Sequence, residues 1–243
     1  MLLIVLSGCS TLNRPTDPND PLEGYNRNMF EFNESVDKHV LKPVAQGYVS
    51  ITPDLVQKGI NNFFSNLDDF VVIINDILQF KLGQLSSDTG RFLINSTIGL
   101  GGLIDWASDI NMPKHNEDFG QTLGHWGVPT GPYFVLPFLG PSTIRDTGGI
   151  IVDTAELDPI WRQVEDGLPA EQRDSGKAQV ITVIKAIDLR ASLLKAEKIL
   201  DEAALDKYTF IREAYLQRRE YLVFDGNPPK QAEEFNETEL FDF

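Results

Sequence analysis

The sequence predicts a mainly α fold: a single domain of amphipathic helices interrupted by one region rich in glycine, proline and aromatic residues. Two stretches, 55–82 and 170–224, repeat apolar residues every three or four positions, the period of a helix with one apolar face. Between them, residues 111–149 place a glycine or proline every few positions, too often for a long helix. Repeated alternating segments of the kind a β-barrel needs are absent from the body of the chain.

The organisation follows from the N-terminus onward. Cys9 is the single cysteine of the 243-residue chain, and it ends Leu6-Ser7-Gly8-Cys9 directly after the apolar run Leu2 to Val5. That order reads as a lipobox, in which the chain is cut before the cysteine and the thiol and new amino group are acylated. The bland alternative is a small buried hydrophobe, in a place with too few neighbours to build a core. The apolar run is shorter than the roughly 7–15 residues of a signal peptide, and no Lys or Arg precedes it. Residues 1–8 therefore read as a truncated signal segment, and residues 9–21, with three prolines, as a lipid anchor and tether.

A helical domain is expected over 22–224. Tyr25, Met29, Phe32, Val36 and Val40 open it at helical spacing, and Pro43 should end or bend that helix. From Leu55 to Leu82, Phe63, Phe64, Leu67, Phe70, Val71, Ile74, Ile77 and Leu78 form an apolar stripe. Asp68, Asp69, Asn75, Asp76 and Gln79 fill the opposite arc. On pattern alone, a helix covering a soluble core is the more economical reading, with lipid contact as the alternative. Residues 86–107 read as another helix, capped near Ser86, Ser87 or Asp88, that meets Gly99, Gly101 and Gly102. Each glycine costs roughly 1 kcal/mol of helix stability relative to alanine, so either the helix breaks there or backbone packs closely against a neighbour. Trp126, Tyr133, Phe134, Phe138 and Leu139 stud the Gly/Pro region, as short strands or turns packed on helices or as an aromatic surface at a head-group interface. Val180, Ile184, Ile187, Ala191 and Leu194 share one helix face, and Leu205, Tyr208, Ile211, Ala214, Tyr215 and Tyr221 follow on a second helix. Residues 225–243 are expected to form an acidic, mobile tail.

The formal net charge of -15 argues against nucleic acid, which needs clustered Lys and Arg. It also argues against electrostatic attachment to anionic head groups, so any membrane contact must rest on apolar burial and acyl chains. No catalytic motif stands out. His39, His115 and His125 form no His-Glu-x-x-His pattern, and Gly140-Pro141-Ser142-Thr143-Ile144 lacks the second glycine of a nucleophile elbow. Neither metal nor cofactor is expected. In so acidic a chain, Asp68-Asp69 and Glu117-Asp118 read as solvated faces.

Several blocks are more specific. They are Asp20-Pro21-Leu22-Glu23-Gly24-Tyr25-Asn26-Arg27, Phe30-Glu31-Phe32-Asn33, Asn62-Phe63-Phe64-Ser65-Asn66-Leu67 and Arg91-Phe92-Leu93-Ile94-Asn95-Ser96-Thr97. Then come Glu117-Asp118-Phe119-Gly120-Gln121-Thr122-Leu123-Gly124, Trp126-Gly127-Val128, Gly131-Pro132-Tyr133, Leu136-Pro137, Gly140-Pro141-Ser142, Arg145-Asp146, and finally Arg212-Glu213-Ala214-Tyr215 with Arg218. With the lipobox, they make the chain resemble the MlaA/VacJ family of outer-membrane lipoproteins over roughly residues 20–224. The short signal segment and the long tail after Pro229 depart from the family pattern.

The resemblance implies a ring-like helical protein, without catalysis, in the inner leaflet of the outer membrane. It implies a channel that carries mislocalised phospholipid toward a periplasmic carrier and an inner-membrane transporter, and association with trimeric porins. Under it, Cys9 is the lipid anchor, Phe70, Val71, Ile74, Ile77 and Leu78 touch lipid, and Gly99, Gly101 and Gly102 bend or pack beside the channel. A periplasmic lipid hydrolase and a porin-bound structural adaptor are the alternatives.

Overall fold

The computed structural model describes residue 17, residues 20–157 and residues 175–229. Cys9 and the acidic tail beyond Pro229 lie outside the described residues. The helices are α1 (Glu23–Val36), α2 (Lys42–Ile51), α3 (Asp54–Leu78), α4 (Leu82–Thr97), α5 (Trp106–Asp109), α6 (Phe119–His125), α7 (Ile144–Val152), α8 (Ser175–Ala203) and α9 (Lys207–Val223). One hairpin, β1 (Tyr133–Leu136) with β2 (Gly140–Thr143), is the sheet among the described residues. Short helices α6 and α7 flank it inside the Gly/Pro region, where the sequence allowed strands, turns and nothing long.

Pro43 bends the chain rather than ending a helix. A π turn, Asp37–Leu41, joins α1 to α2, and Pro43 sits at the start of α2. Proline has no N–H to donate and its ring crowds the carbonyl one turn back; a wider turn just before it absorbs both.

The packing closes into a circuit. α1 lies on β1, β1 on β2, β2 on α7, α7 on α6, α6 on α3, α3 on α8 and α8 on α2; α2 returns through the π turn to α1. α4 packs on α3 and carries α5, and α9 crosses α6 and β2. Asn26 and Asn33, two helical turns apart on one face of α1, strap the free edge of β1. Asn26 Nδ2 donates to the Tyr133 carbonyl at 3.2 Å and its Oδ1 accepts from Val135 N at 2.9 Å. Asn33 does the same for the Leu136 carbonyl and Phe138 N, both at 2.8 Å. The Asn26 amide thus covers backbone groups of β1 in place of a third strand, and the Asn33 amide holds the end of β1 and the turn after it.

The distribution of polarity is inverted. Among the described residues, eight hydrophobic side chains are buried against nineteen polar or charged ones, the reverse of a water-soluble domain. The apolar cluster is small: Tyr133, Val135 and Tyr208, with Met29, Phe30, Tyr215 and Leu216 against it. α3 shows the inversion most clearly. Asn66, Asp69, Asn75 and Asp76 are buried together with Phe64 and Val72, followed by Gln79 just past the helix end, whereas Ile77 is 52% exposed and Phe70 also faces outward. The reading of this stripe as the cover of a soluble core is therefore overturned: the polar arc faces the interior. Asp188 is buried on α8 while Val180, Val183, Ile184, Leu189 and Leu193 are exposed. No helix among the described residues is long and apolar enough to cross a membrane.

The helix expected over 86–107 starts earlier, at Leu82, and ends at Thr97. Its expected caps lie inside it, and Asp88 is fully buried. The glycines both end the helix and allow close approach. Gly101 N and Gly102 N bond back to the Ser96 and Asn95 carbonyls at 3.0 and 2.8 Å. Gly101 and Gly102 have φ of +73° and +93°. A Cβ on Gly102 would stand 2.7 Å from the Asn66 side chain, and one on Gly99 2.2 Å from the Ile104 carbonyl.

Candidate functional site

The inward face of α3 meets α4, the 113–118 segment and α6 in a buried polar network. Gln79 Nε2 donates to Glu117 Oε2 at 2.8 Å and to Thr122 Oγ1 at 3.1 Å; the Thr122 hydroxyl donates to Asn75 Oδ1 at 2.7 Å. Lys81 bridges Glu117 and Asp225 at 2.9 and 2.5 Å. Lys114 donates to Asp69, and Asp88 bonds His115 Nδ1 at 2.8 Å. Asp76 is fully buried, and neither carboxylate oxygen has a hydrogen-bond donor among the described residues. Burial pushes its carboxyl up to about 7, with the charges of Asp88 and Glu117 adding to the effect.

A second knot lies between α6, α7 and α9. Asp118 caps α6 by accepting from Gln121 N at 2.9 Å. Arg219 holds that carboxylate with two nitrogens and reaches Asp146 with two bonds of 3.0 and 2.9 Å. Burial alone would raise the carboxyls of Asp118 and Asp146, but the guanidinium holds both below the ordinary range. Gly120 and Gly149 leave room: a Cβ on Gly149 would stand 2.3 Å from Gly120 N.

Between the two knots a cavity of about 500 Å3 opens, lined by Val71 and Val72 of α3, Glu117, Asp153, Lys185 of α8 and Arg218 and Leu222 of α9. Its walls mix apolar and charged groups. No group of three or more metal-ligating side chains occurs among the described residues.

Several expected positions change meaning. Glu117 and Asp69 are buried rather than solvated; Asp118 and Asp68 are partly exposed, the first tied to Arg219 and the second bonded to Lys185 at 2.5 Å. Asp20, read as tether, is buried and accepts from Asn26 Nδ2 at 2.9 Å and from the Tyr208 hydroxyl. Val71 lines the cavity, Phe70 and Ile77 point outward, and Ile74 and Leu78 are half-buried. Arg219, which sequence reasoning passed over for its neighbour Arg218, is the residue at the centre of the second knot.

Twelve of the nineteen buried polar side chains fall in the blocks that carried the resemblance: Asp20, Asn26, Asn66, Arg91, Asn95, Glu117, Gln121, Thr122, Ser142, Arg145, Asp146 and Arg212. Comparison with known proteins agrees. The model of the family described as MlaA lipoprotein matches residues 18–222. The chain belongs to the MlaA lipoprotein family. It is 36% identical over 229 residues to the Intermembrane phospholipid transport system lipoprotein MlaA of Haemophilus influenzae, covering 92% of this chain and 88% of that one. It is 34% identical over 239 residues to the protein of the same name from Escherichia coli, covering 94% and 90%. A solved structure concerned with the structural basis for maintenance of bacterial outer membrane lipid asymmetry superposes with a TM-score of 0.67 at 36% identity, covering 84% of this chain and 98% of that one. In this MlaA-family chain, those twelve residues lie in the polar interior.

Proposed function

We propose that this chain is an outer-membrane lipoprotein that takes mislocalised phospholipid from the outer leaflet through its polar interior and passes it toward a periplasmic carrier, so maintaining lipid asymmetry. The observation that carries this reading is the inversion of α3 and α8, with carboxylates and amides inward and Phe70, Ile77, Val180, Val183 and Leu189 outward. An apolar exterior of this extent is stable against hydrocarbon, not water. A polar interior gives a head group somewhere to go while acyl chains keep to the apolar side.

The finer parts of the reading are that the ring lies in the inner leaflet, that acylated Cys9 anchors it, that trimeric porins hold it in place, and that an inner-membrane transporter receives the lipid downstream. The acidic surplus fits, because the charges are gathered inside or turned to the periplasm. Phospholipid movement would then follow gradients or downstream partners.

The test is outer-leaflet phospholipid in a strain lacking the gene, measured by surface-accessible labelling, with and without the gene restored. Accumulation reversed by restoration is expected. Unchanged levels would favour the structural adaptor bound to porins. Sustained fatty-acid release by the pure protein from labelled phospholipid would favour the hydrolase. Mass spectrometry of the mature N-terminus tests the anchor: a diacyl or triacyl mass on Cys9 is expected.

A further inference from the structure

Charge pairing around the cavity beside α3 leaves two groups over. Lys185 bonds Asp68 at 2.5 Å, Arg219 holds Asp118, and Glu117 is paired with Lys81 at 2.9 Å. Arg218 lines the same cavity and makes no hydrogen bond or ion pair among the described residues. Asp153 accepts from Asn75 Nδ2 at 3.3 Å and Phe119 N at 2.9 Å but has no cation in salt-bridge reach among those residues. One cation and one carboxylate that lack an ion-pair partner among the described residues therefore line a space of about 500 Å3, within the usual range for a small-ligand site. Val71, Val72 and Leu222 supply an apolar wall between charged groups.

We propose that this cavity is a head-group site for a zwitterionic glycerophospholipid, with Arg218 on the phosphate and Asp153 on the ammonium of an ethanolamine. The inference rests on the phospholipid-transport reading and adds head-group class to it. A guanidinium matches a phosphodiester with paired N–H donors. A half-buried carboxylate with no cation in salt-bridge reach gains from an incoming ammonium, and burial, with the charge of Asp118 adding, holds Asp153 up at about 6 against the opposing charge of Arg219. An anionic head group meets the same Arg218 but leaves Asp153 uncompensated and repelling, so the site discriminates by charge as well as by fit.

Native mass spectrometry of the full acylated chain in detergent tests this, with phosphatidylethanolamine, phosphatidylglycerol and soluble glycerophosphoethanolamine as probes. Arg218→Gln should weaken both lipids about tenfold or more, the loss of a charged hydrogen bond. Asp153→Asn should weaken phosphatidylethanolamine alone, so that the ratio between the two lipids falls about tenfold. Wild-type binding by both variants, or an unchanged ratio in Asp153→Asn, overturns the site. Should Asp153→Asn fail to fold, Arg218→Glu on the exposed rim decides: it must weaken phosphatidylglycerol more than phosphatidylethanolamine, and equal losses overturn the assignment. Soluble glycerophosphoethanolamine binding as tightly as the lipid would assign the cavity to a free phosphodiester instead. Failure of the transport reading is separate: it shows as normal outer-leaflet phospholipid in the deletion strain. A strain that clears phospholipid while Arg218→Gln binds like wild type overturns the head-group site alone.

Discussion

Arg219 closes on Asp118 with two parallel bonds, Nη1 to Oδ2 at 2.5 Å and Nη2 to Oδ1 at 2.9 Å, while the same guanidinium reaches Asp146. One side chain of α9 thereby fastens the start of α6 and the first turn of α7. Arg219 and Asp146 are both largely buried, so removing the cation strands two carboxylates in a desolvated place. Arg219→Met should cost about 3–5 kcal/mol, the usual penalty for breaking a buried pair. Urea unfolding of the detergent-solubilised protein checks this. Arg219→Lys keeps the charge but loses the fork, and its midpoint should fall between those of Met and wild type. Equal midpoints for all three would mean the knot contributes nothing.

The three glycines after α4 separate strain from collision. Gly101 has φ +73° with open space at its Cβ position, so Gly101→Ala should cost only the left-handed penalty of about 1–2 kcal/mol. Gly102 has φ +93° and Asn66 at 2.7 Å, and Asn66 is itself buried and bonded to Ser96 at 2.9 Å. Gly102→Ala must displace a packed amide as well, and its melting temperature should drop well below that of Gly101→Ala. A smaller drop would show that the loop slides away from α3 at little cost.

Helical periodicity carries little information about which face is inside. It located α3 within a few residues and placed Asp69, Asn75, Asp76 and Gln79 on one arc, but the same pattern serves a soluble core and a lipid-facing belt. The solvent decides between them, and the solvent is not written in the spacing. The long-range amide straps from Asn26 and Asn33 to β1 were illegible for another reason. They join residues more than a hundred positions apart, and nothing local in α1 distinguishes them from solvated asparagines. Glu117 and Asp118 looked solvated because acidic pairs are common in this chain; their partners Lys81 and Arg219 lie far away in sequence. The Gly/Pro region was legible as a place without long helices, because backbone constraint is local.

The outward face of α3 can be tested directly. Ile77 is half-exposed, about 100° around the helix from buried Asp76, so a lysine there can reach outward and puts a charge where lipid contact is proposed. At the centre of a membrane helix lysine costs about 2.5–3.5 kcal/mol, and less toward the interface. Ile77→Lys should reduce co-flotation with liposomes several-fold in a Cys9→Ser background, which removes the acyl contribution. Ile74→Lys should act in the same direction, with some loss of stability because Ile74 is half-buried. Flotation equal to the parent at both positions would reject the belt.

Asp76 makes stability fall with rising pH through the neutral range. Its carboxyl is held near 7 in the fold, against about 4 in an unfolded chain. Between those values the folded state binds a proton that the unfolded state lacks, so stability declines from about pH 4 to about pH 7 and is flat above. Asp153, raised to about 6, adds the same sign over a narrower window. Asp206, lowered to about 2 chiefly by Arg27, and Asp105, brought down to about 2 by bonds from Ser108 and Asn95 that outweigh its burial, act oppositely. Their stabilisation is present above pH 4 and is lost only as pH falls through about 2, outside the neutral window. Asp76→Asn removes the ionisation but keeps the shape. Its melting temperature relative to wild type should therefore rise progressively from pH 5 to about pH 7 and level off above. A difference independent of pH over that range would remove the raised carboxyl, and the contact with Asp88 that helps to raise it, from the description of the interior.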